Sequence, residues 1–142
     1  MSKTITVSDE TYKLIKEQVE NDKKETKLEI KNRFTGEVIF TSRKTTYKEA
    51  VEEAIEKKVS LQFANLRGAD LKGANLKYAN LEDADLKYAN LECASLQGAN
   101  LKGANLKYVD LYHAKLYGRG GGTRINKSQI NAFLEALGVI AE

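Results

Sequence analysis

The sequence predicts a mainly β solenoid, in which short extended segments joined by corners stack one coil upon the next. Three observations predict it. From Val59 to Gly118 one five-residue unit is written twelve times: VSLQF ANLRG ADLKG ANLKY ANLED ADLKY ANLEC ASLQG ANLKG ANLKY VDLYH AKLYG. Every unit has Leu at its centre and Ala two residues earlier, replaced by Val only at Val59 and Val109. Finally, five fits neither regular period. Residues five apart on an α-helix differ by roughly 140°, and along one continuous strand an odd shift sends every second Leu to the opposite face.

A corner after each short extended segment removes the conflict. Side chains alternate along the segment, so Ala and Leu share the inward side while the Asn or Asp between them, and the residue after Leu, face outward. The fifth residue (Gly, Tyr, Asp, Cys, His or Phe) then sits near the bend. The predicted core is the column Leu61, Leu66, Leu71, Leu76, Leu81, Leu86, Leu91, Leu96, Leu101, Leu106, Leu111 and Leu116. Coils of this kind stack at about 4.8 Å and contact only their neighbours. The outward amides at Asn65, Asn75, Asn80, Asn90, Asn100 and Asn105 are expected to form hydrogen-bonded ladders along the axis.

Upstream of the repeat, Lys3 to Val7 alternates as a short strand, and Ser8 is placed to cap a helix opened by Asp9 and Glu10. Tyr12, Ile15 and Val19 form a helical stripe that fades near Asn21. The stretch ITVSDETYKLIKE resembles the arm and first helix of ribbon-helix-helix repressors, but no second helix follows soon after, so DNA reading by this arm is not expected. Residues 27–42 read as a hairpin turning at Thr35-Gly36, with Leu28, Ile30, Val38 and Phe40 alternating with polar residues. Thr46 and Glu49 have capping-box spacing, and the helix they open is expected to bury Tyr47, Val51, Ala54 and Ile55 up to about Lys58. This hairpin–helix unit would cover the first coil's unpaired edge. After Gly118, Arg-Gly-Gly-Gly reads as a joint, and residues 126–137 as an amphipathic helix with Ile130, Phe133, Leu134 and Leu137 on one stripe and Gly138 ending it. The chain thus divides into an N-terminal capping region at 1–58, the repeat at 59–118, and a joint with a C-terminal capping helix at 119–142.

The tandem A(N/D)LXX pattern, carried by 60 of 142 residues, resembles the pentapeptide-repeat family. That resemblance implies a right-handed, four-sided β-helix, here of about three coils. The residues alone leave the number of sides open: a 20-residue coil aligns Tyr88 with Tyr108, and a 15-residue coil aligns Phe63, Tyr78 and Tyr108. The resemblance also implies a bacterial or phage setting, a homodimer through the C-terminal cap (Val139 and Ile140 are apolar enough to join it), and in some members binding to DNA gyrase by imitation of duplex DNA.

Charge narrows the function. The chain carries 23 basic and 20 acidic residues, hence +3, spread as 13 against 12 before the repeat, 7 against 6 within it and 3 against 2 after it. No segment is basic enough to grip nucleic acid directly or acidic enough to imitate it. No run approaches a membrane span, the first ten residues lack a signal peptide's apolar core, and the single Cys93 cannot form an internal disulfide. A cytoplasmic protein is expected. Catalysis lacks a residue set: His113 is the lone histidine, paired by no motif with a nucleophile. On a four-sided coil Cys93 lies one turn below it, but two ligands fall short of the four usual at structural zinc. The loop from Gly118 to Arg124 lacks the Gly-Lys-Ser/Thr ending of a phosphate loop. Neither enzyme activity, metal nor cofactor is expected.

With four sides, Arg67, Lys87 and Lys107 fall on one face with Tyr88 and Tyr108 at the adjacent corner, while Tyr78, Tyr112 and Tyr117 add aromatic surface elsewhere. Like charges stacked closely favour an anionic partner, unless Asp85 relieves them and the face is merely solvated. The expected function is a non-catalytic module that binds a macromolecule, a protein, through a rigid β-helix surface. The alternatives are a DNA-mimicking gyrase modulator and a binder of a small anionic ligand.

Overall fold

The structure, a computed structural model, describes residues 3–25, 27–117 and 122–138. The repeat winds as a β-helix whose coils are joined by backbone hydrogen bonds. Seven parallel bridges link residues 20 apart, running from Asn65–Asp85 to Ser95–Lys115. Four five-residue units therefore complete one turn, which decides between the two alignments that the sequence left open.

Each unit uses its backbone in the same way. The Leu amide donates to the carbonyl of the residue before Leu one coil on, as from Leu66 to Asp85 at 2.8 Å, and the outward residue's amide donates to the Ala carbonyl one coil back, as from Asp85 to Ala64 at 2.9 Å. At the corner the Ala amide bonds back to the Leu carbonyl three residues earlier, as from Ala69 to Leu66 at 3.0 Å, closing a four-residue turn. The fifth residue is third in that turn and takes a left-handed backbone: Phe63, Tyr78, Asp83, Tyr88, Cys93, Tyr108 and His113 have φ of 55° to 63°, as do the glycines at this position with φ of 66° to 71°. A turn with positive φ at its third residue is the type II form, which Gly enters freely.

Leu61 to Leu111 are buried together with the repeat's alanines from Ala64 to Ala104. Leu116 corrects the expected column: it is only partly buried, because it lies at the end where no further leucine unit stacks on it. The Asn ladder is a second correction. The Oδ1 of Asn65, Asp70, Asn75, Asn80, Asp85, Asn90, Asn100, Asn105 and Asp110 accepts the amide two residues on, at 2.9 to 3.3 Å. These are Asx turns that hold each corner locally. A cross-coil amide bond occurs from Asn80 to Ser60, at 3.0 Å.

Before the repeat, Ser8 caps helix α1 (Asp9–Glu25), its Oγ accepting the Thr11 amide at 3.2 Å. Residues 3–7, expected as a strand, pair with no other described residue, and Tyr12, Leu14, Ile15 and Val19 remain exposed on α1. Strands β1 (Leu28–Lys31) and β2 (Val38–Ser42) form the expected antiparallel hairpin. Ile30 pairs with Phe40 but Lys31 with Val38, so Ile39 is an extra residue on β2. That bulge shifts the alternation by one and leaves Val38 exposed, against expectation. Helix α2 (Tyr47–Glu56) buries Ala50, Val51 and Ala54; Tyr47, expected inside, is 39% exposed. Thr46 caps α2, accepting the Glu49 amide at 3.2 Å and donating to the Glu49 carboxylate at 3.1 Å.

The open edges of the β-helix are met by named groups. At the first coil, the Asn65 amide donates to Lys31 O at 2.7 Å, the Arg33 amide to Phe63 O at 2.8 Å, and the Asn75 amide to the Glu52 carboxylate at 2.8 Å. At the far end, Arg124 takes the place of a next unit, accepting from Leu101 N at 2.8 Å and donating to Ala99 O at 2.9 Å. Its bridge to Asn100 spans 24 residues. A short 3-10 turn, Lys127–Gln129, leads into α3 (Ile130–Ala136). Ala132, Phe133, Ala136 and Leu137 pack on the core, while Ile130 and Leu134 face outward, so the predicted stripe is rotated about the helix axis. Gly138, with φ 77°, ends the helix as expected. The Gly-rich joint at 118–121 and Val139 and Ile140 lie outside the described residues.

Candidate interaction face

The units at 64–68, 84–88 and 104–108 lie directly over one another. Their register is set by Leu66 N to Asp85 O at 2.8 Å, Gly68 N to Lys87 O at 2.8 Å, Leu86 N to Asn105 O at 3.0 Å and Tyr88 N to Lys107 O at 3.1 Å. Those bonds align the outward position after each Leu, so Arg67, Lys87 and Lys107 form one column. They also align the corner position, where Tyr88 and Tyr108 stack with ring centroids 5.2 Å apart and planes 10° from parallel. The sequence-predicted site residues are thus brought together.

The aromatic pair organises the cations. Lys87 Nζ lies 5.0 Å from the Tyr88 ring centre and 5.8 Å from that of Tyr108, and the Arg67 guanidinium lies 5.3 Å from Tyr88. Positive charge over a ring face is attracted by its quadrupole. This holds two like charges close without a carboxylate between them. Asp85, whose Oδ1 accepts the Lys87 backbone amide at 3.0 Å, forms no ion pair with the column. The ion pairs among the described residues join Lys31 to Glu29, Lys57 to Glu53 and Lys72 to Glu92, and none involves this column. Tyr88 is 51% and Tyr108 73% exposed, so the face is open.

The other three sides differ at the same position. One carries Lys72, Glu92 and Tyr112, where Lys72 bonds Glu92 at 2.9 Å and that carboxylate raises the lysine's pKa. The remaining two carry Gln62, Glu82 and Lys102, and Lys77, Gln97 and Tyr117. All-cationic stacking belongs to one face.

Cys93 and His113 occupy one corner column as expected; Cys93 is exposed, and His113 meets the Tyr112 ring edge-on at 4.0 Å. No group of three or more metal-ligating side chains occurs among the described residues. At the end of the Gly-rich segment, which lacks a phosphate-loop ending, Thr123 directs its hydroxyl to Leu96 O at 2.8 Å and Leu116 O at 3.1 Å, committing it to closure of the coil. No helix among the described residues is long and apolar enough to cross a membrane.

Sequence reasoning missed the polar side chains that finish the coil edges. Gln129 is the foremost. Its Oε1 accepts Gly103 N at 2.9 Å and Asn126 N at 2.7 Å, and its Nε2 donates to Leu101 O at 2.7 Å and Ala104 O at 2.8 Å. Glu52 and Arg33, the latter donating to Asp83 O at 3.0 Å, act at the opposite end. A polar residue phased with an apolar helical face was the one available signal, and only for Gln129.

Among known proteins, the family model for pentapeptide repeats matches residues 57–92 and 84–118. No curated protein matches the chain. Similar solved structures include a pentapeptide repeat protein (Rfr23) from the cyanobacterium Cyanothece 51142, 43% identical over 44% of this chain and 40% of that one, with TM-score 0.40. A pentapeptide repeat protein of the Arabidopsis thaliana thylakoid lumen is 27% identical over 55% of this chain and 66% of that one, with TM-score 0.41. HetL, a pentapeptide repeat protein involved in heterocyst differentiation regulation in Nostoc, is 35% identical over 45% and 38%, with TM-score 0.26. The chain thus spans less than half the length of the first and third of these. The likeness rests on the match of the family model to the repeats themselves. By that match, and by the five-residue unit it describes, residues 57–118 are a run of pentapeptide repeats.

Proposed function

We propose that the chain is a non-catalytic interaction module. In this reading a right-handed, four-sided β-helix of about three coils, closed by the 1–58 and 119–142 regions, presents a rigid surface to a protein partner. The contact face is Arg67, Lys87 and Lys107 with Tyr88 and Tyr108. One observation supports it above the rest: three stacked cations have no carboxylate partner among the described residues, while the equivalent position on the adjacent side is neutralised by its own Lys72–Glu92 pair. Uncompensated charge of one sign on a fixed spacing steers an oppositely charged partner and sets its register. Exposed tyrosines beside it supply contact area at low entropic cost.

Imitation of DNA would need the opposite sign, since the repeat balances 7 basic against 6 acidic residues. The test is affinity capture from bacterial lysate with the wild-type chain and with a variant carrying Arg67→Glu, Lys87→Glu and Lys107→Glu. A protein retained by wild type and lost with the variant supports the face. Equal capture by both overturns it and moves attention to the capping regions.

A further inference from the structure

The spacing of the basic column specifies what fits it. We infer that the partner lays an α-helix along the solenoid axis and presents to Arg67, Lys87 and Lys107 a stripe of carboxylates at positions i, i+3 and i+7. The inference rests on the interaction-module reading and adds the shape and chemistry of the partner.

Coils advance by about 4.8 Å each, so the three cations stand at roughly 0, 4.8 and 9.6 Å along the axis. An α-helix rises 1.5 Å per residue, which places side chains at i, i+3 and i+7 at about 0, 4.5 and 10.5 Å, on one face. The mismatch stays near 1 Å, within the reach of a lysine stem. An extended strand does worse: its same-face side chains recur about every 6.7 Å, so the third carboxylate falls near 13.4 Å, almost 4 Å beyond Lys107. Two turns of helix also match the column's length.

The tyrosines strengthen the argument. Lys87 is held against both rings and Arg67 against one, so two of the three charges are fixed before a partner arrives. Fixed donors favour a partner whose acceptors are fixed as well, as on a folded helix. Tyr88 and Tyr108 form a flat wall along one edge of the column, against which the methylene stems of the glutamates and an apolar residue at i+4 can rest. Arg67 offers a planar fork to the first carboxylate. With three ion pairs and one aromatic edge the interface falls at the small end of specific contacts, so weak, salt-sensitive binding in the micromolar range is expected.

Fluorescence anisotropy with the full chain tests this, using three labelled peptides of equal net charge. The first is an alanine-rich helix with Glu at i, i+3 and i+7; the second has the same composition with its glutamates scattered around the helix; the third is an extended Val/Thr peptide with alternate Glu. The expected result is at least tenfold tighter binding of the first, lost in Lys87→Glu and in Lys107→Glu and retained in Lys77→Glu on another side. Equal binding of all three peptides would overturn the helix inference and leave the anionic-partner reading standing. Tighter binding of the extended peptide also overturns it, in favour of strand recognition. No binding of any peptide, or binding that survives Lys87→Glu, overturns the inference and the face together. A labelled DNA duplex in the same assay provides the last arm: tighter binding to it would replace a protein partner by nucleic acid. Circular dichroism of each variant confirms the fold.

Discussion

Gln129→Ala should be among the most damaging substitutions of a polar side chain in this protein. The wild-type side chain, 8% exposed, bonds four backbone groups at the open end of the β-helix. Three of them, Leu101 O, Gly103 N and Ala104 O, belong to the last coil. Each bond is worth about 1 kcal/mol net, and leaving a buried partner unpaired costs about 1–3 kcal/mol. Water entering the vacated space can satisfy some of the four, which sets the expected loss at about 2–4 kcal/mol. Urea unfolding followed by far-ultraviolet circular dichroism measures it, since the chain lacks Trp. Hydrogen exchange should show the Gly103 amide losing protection before the amides of Leu71 and Leu76, which lie in earlier units. Gln129→Glu sharpens the test. Its carboxylate still accepts the two amides, but it faces two carbonyl oxygens, which raises its folded pKa above the unfolded value of about 4.3. A raised folded pKa means that stability relative to wild type is highest below the unfolded pKa and is lost as pH rises through the folded one. If Gln129→Ala costs under 0.5 kcal/mol and Gly103 exchange is unchanged, the side chain does not close the coil and this account of the C-terminal end fails.

Leu96→Ala, at a fully buried position, should cost about 3–4 kcal/mol, and Leu116→Ala, only partly buried, about half as much in the same urea assay. Gly68→Ala puts a Cβ on a left-handed residue with open space around it and should cost about 1 kcal/mol, whereas Gly103→Ala must also displace the Asp83 carboxylate and should cost more. The Glu53 carboxyl is held below its ordinary range by hydrogen bonds from Lys57 and Ser42. Its contribution is therefore present above the ordinary carboxylate pKa and lost as pH falls through the lowered one, so Glu53→Gln should flatten the acid limb of a stability–pH curve. Ile15→Ser on α1, where the side chain is half exposed, should change global stability by less than about 0.5 kcal/mol, while Val51→Ala in α2 lowers it measurably.

How much of this was legible depended on whether a neighbour in sequence or in space decides each feature. The leucine and alanine columns were readable because a period of five is incompatible with helix and strand alike. A bend at the fifth residue was readable, but its left-handed backbone, which Tyr78 and Asp83 share with the glycines, was not. The Asn side chains were misread because two partners are chemically equivalent for an amide: a neighbour one coil away, and the backbone two residues on. The local one is reached without ordering anything distant, and it prevails. Helical stripes told that α1 and α3 have an apolar side without telling what covers it. On α1 it is left exposed; on α3 Ala132, Phe133, Ala136 and Leu137 carry the packed face, and Ile130 and Leu134 turn away. Gln129, Glu52 and Arg33 reach partners 23 to 50 residues away. No local pattern encodes those contacts.

The candidate face was half legible for a related reason. Arg67, Lys87 and Lys107 are ordinary surface residues until a coil of 20 residues is fixed, and only then do they coincide. Left-handed strain does not single out Tyr88 and Tyr108, since Phe63, Tyr78, Asp83, Cys93 and His113 share it. What singles them out is that the rings stack and each lies against a cation. An inward Leu and Ala, an Asx turn and a left-handed corner are common to nearly every unit, so the position after Leu and the corner are the places where this fold can vary without cost to its core. Side-to-side differences at those two positions therefore owe nothing to the core. Two sides there mix acidic and basic groups, a third carries Lys77 with Gln97 and Tyr117, and the fourth alone stacks three cations beside an aromatic pair. The fold alone gives no reason for that asymmetry, whereas the partner proposed above would.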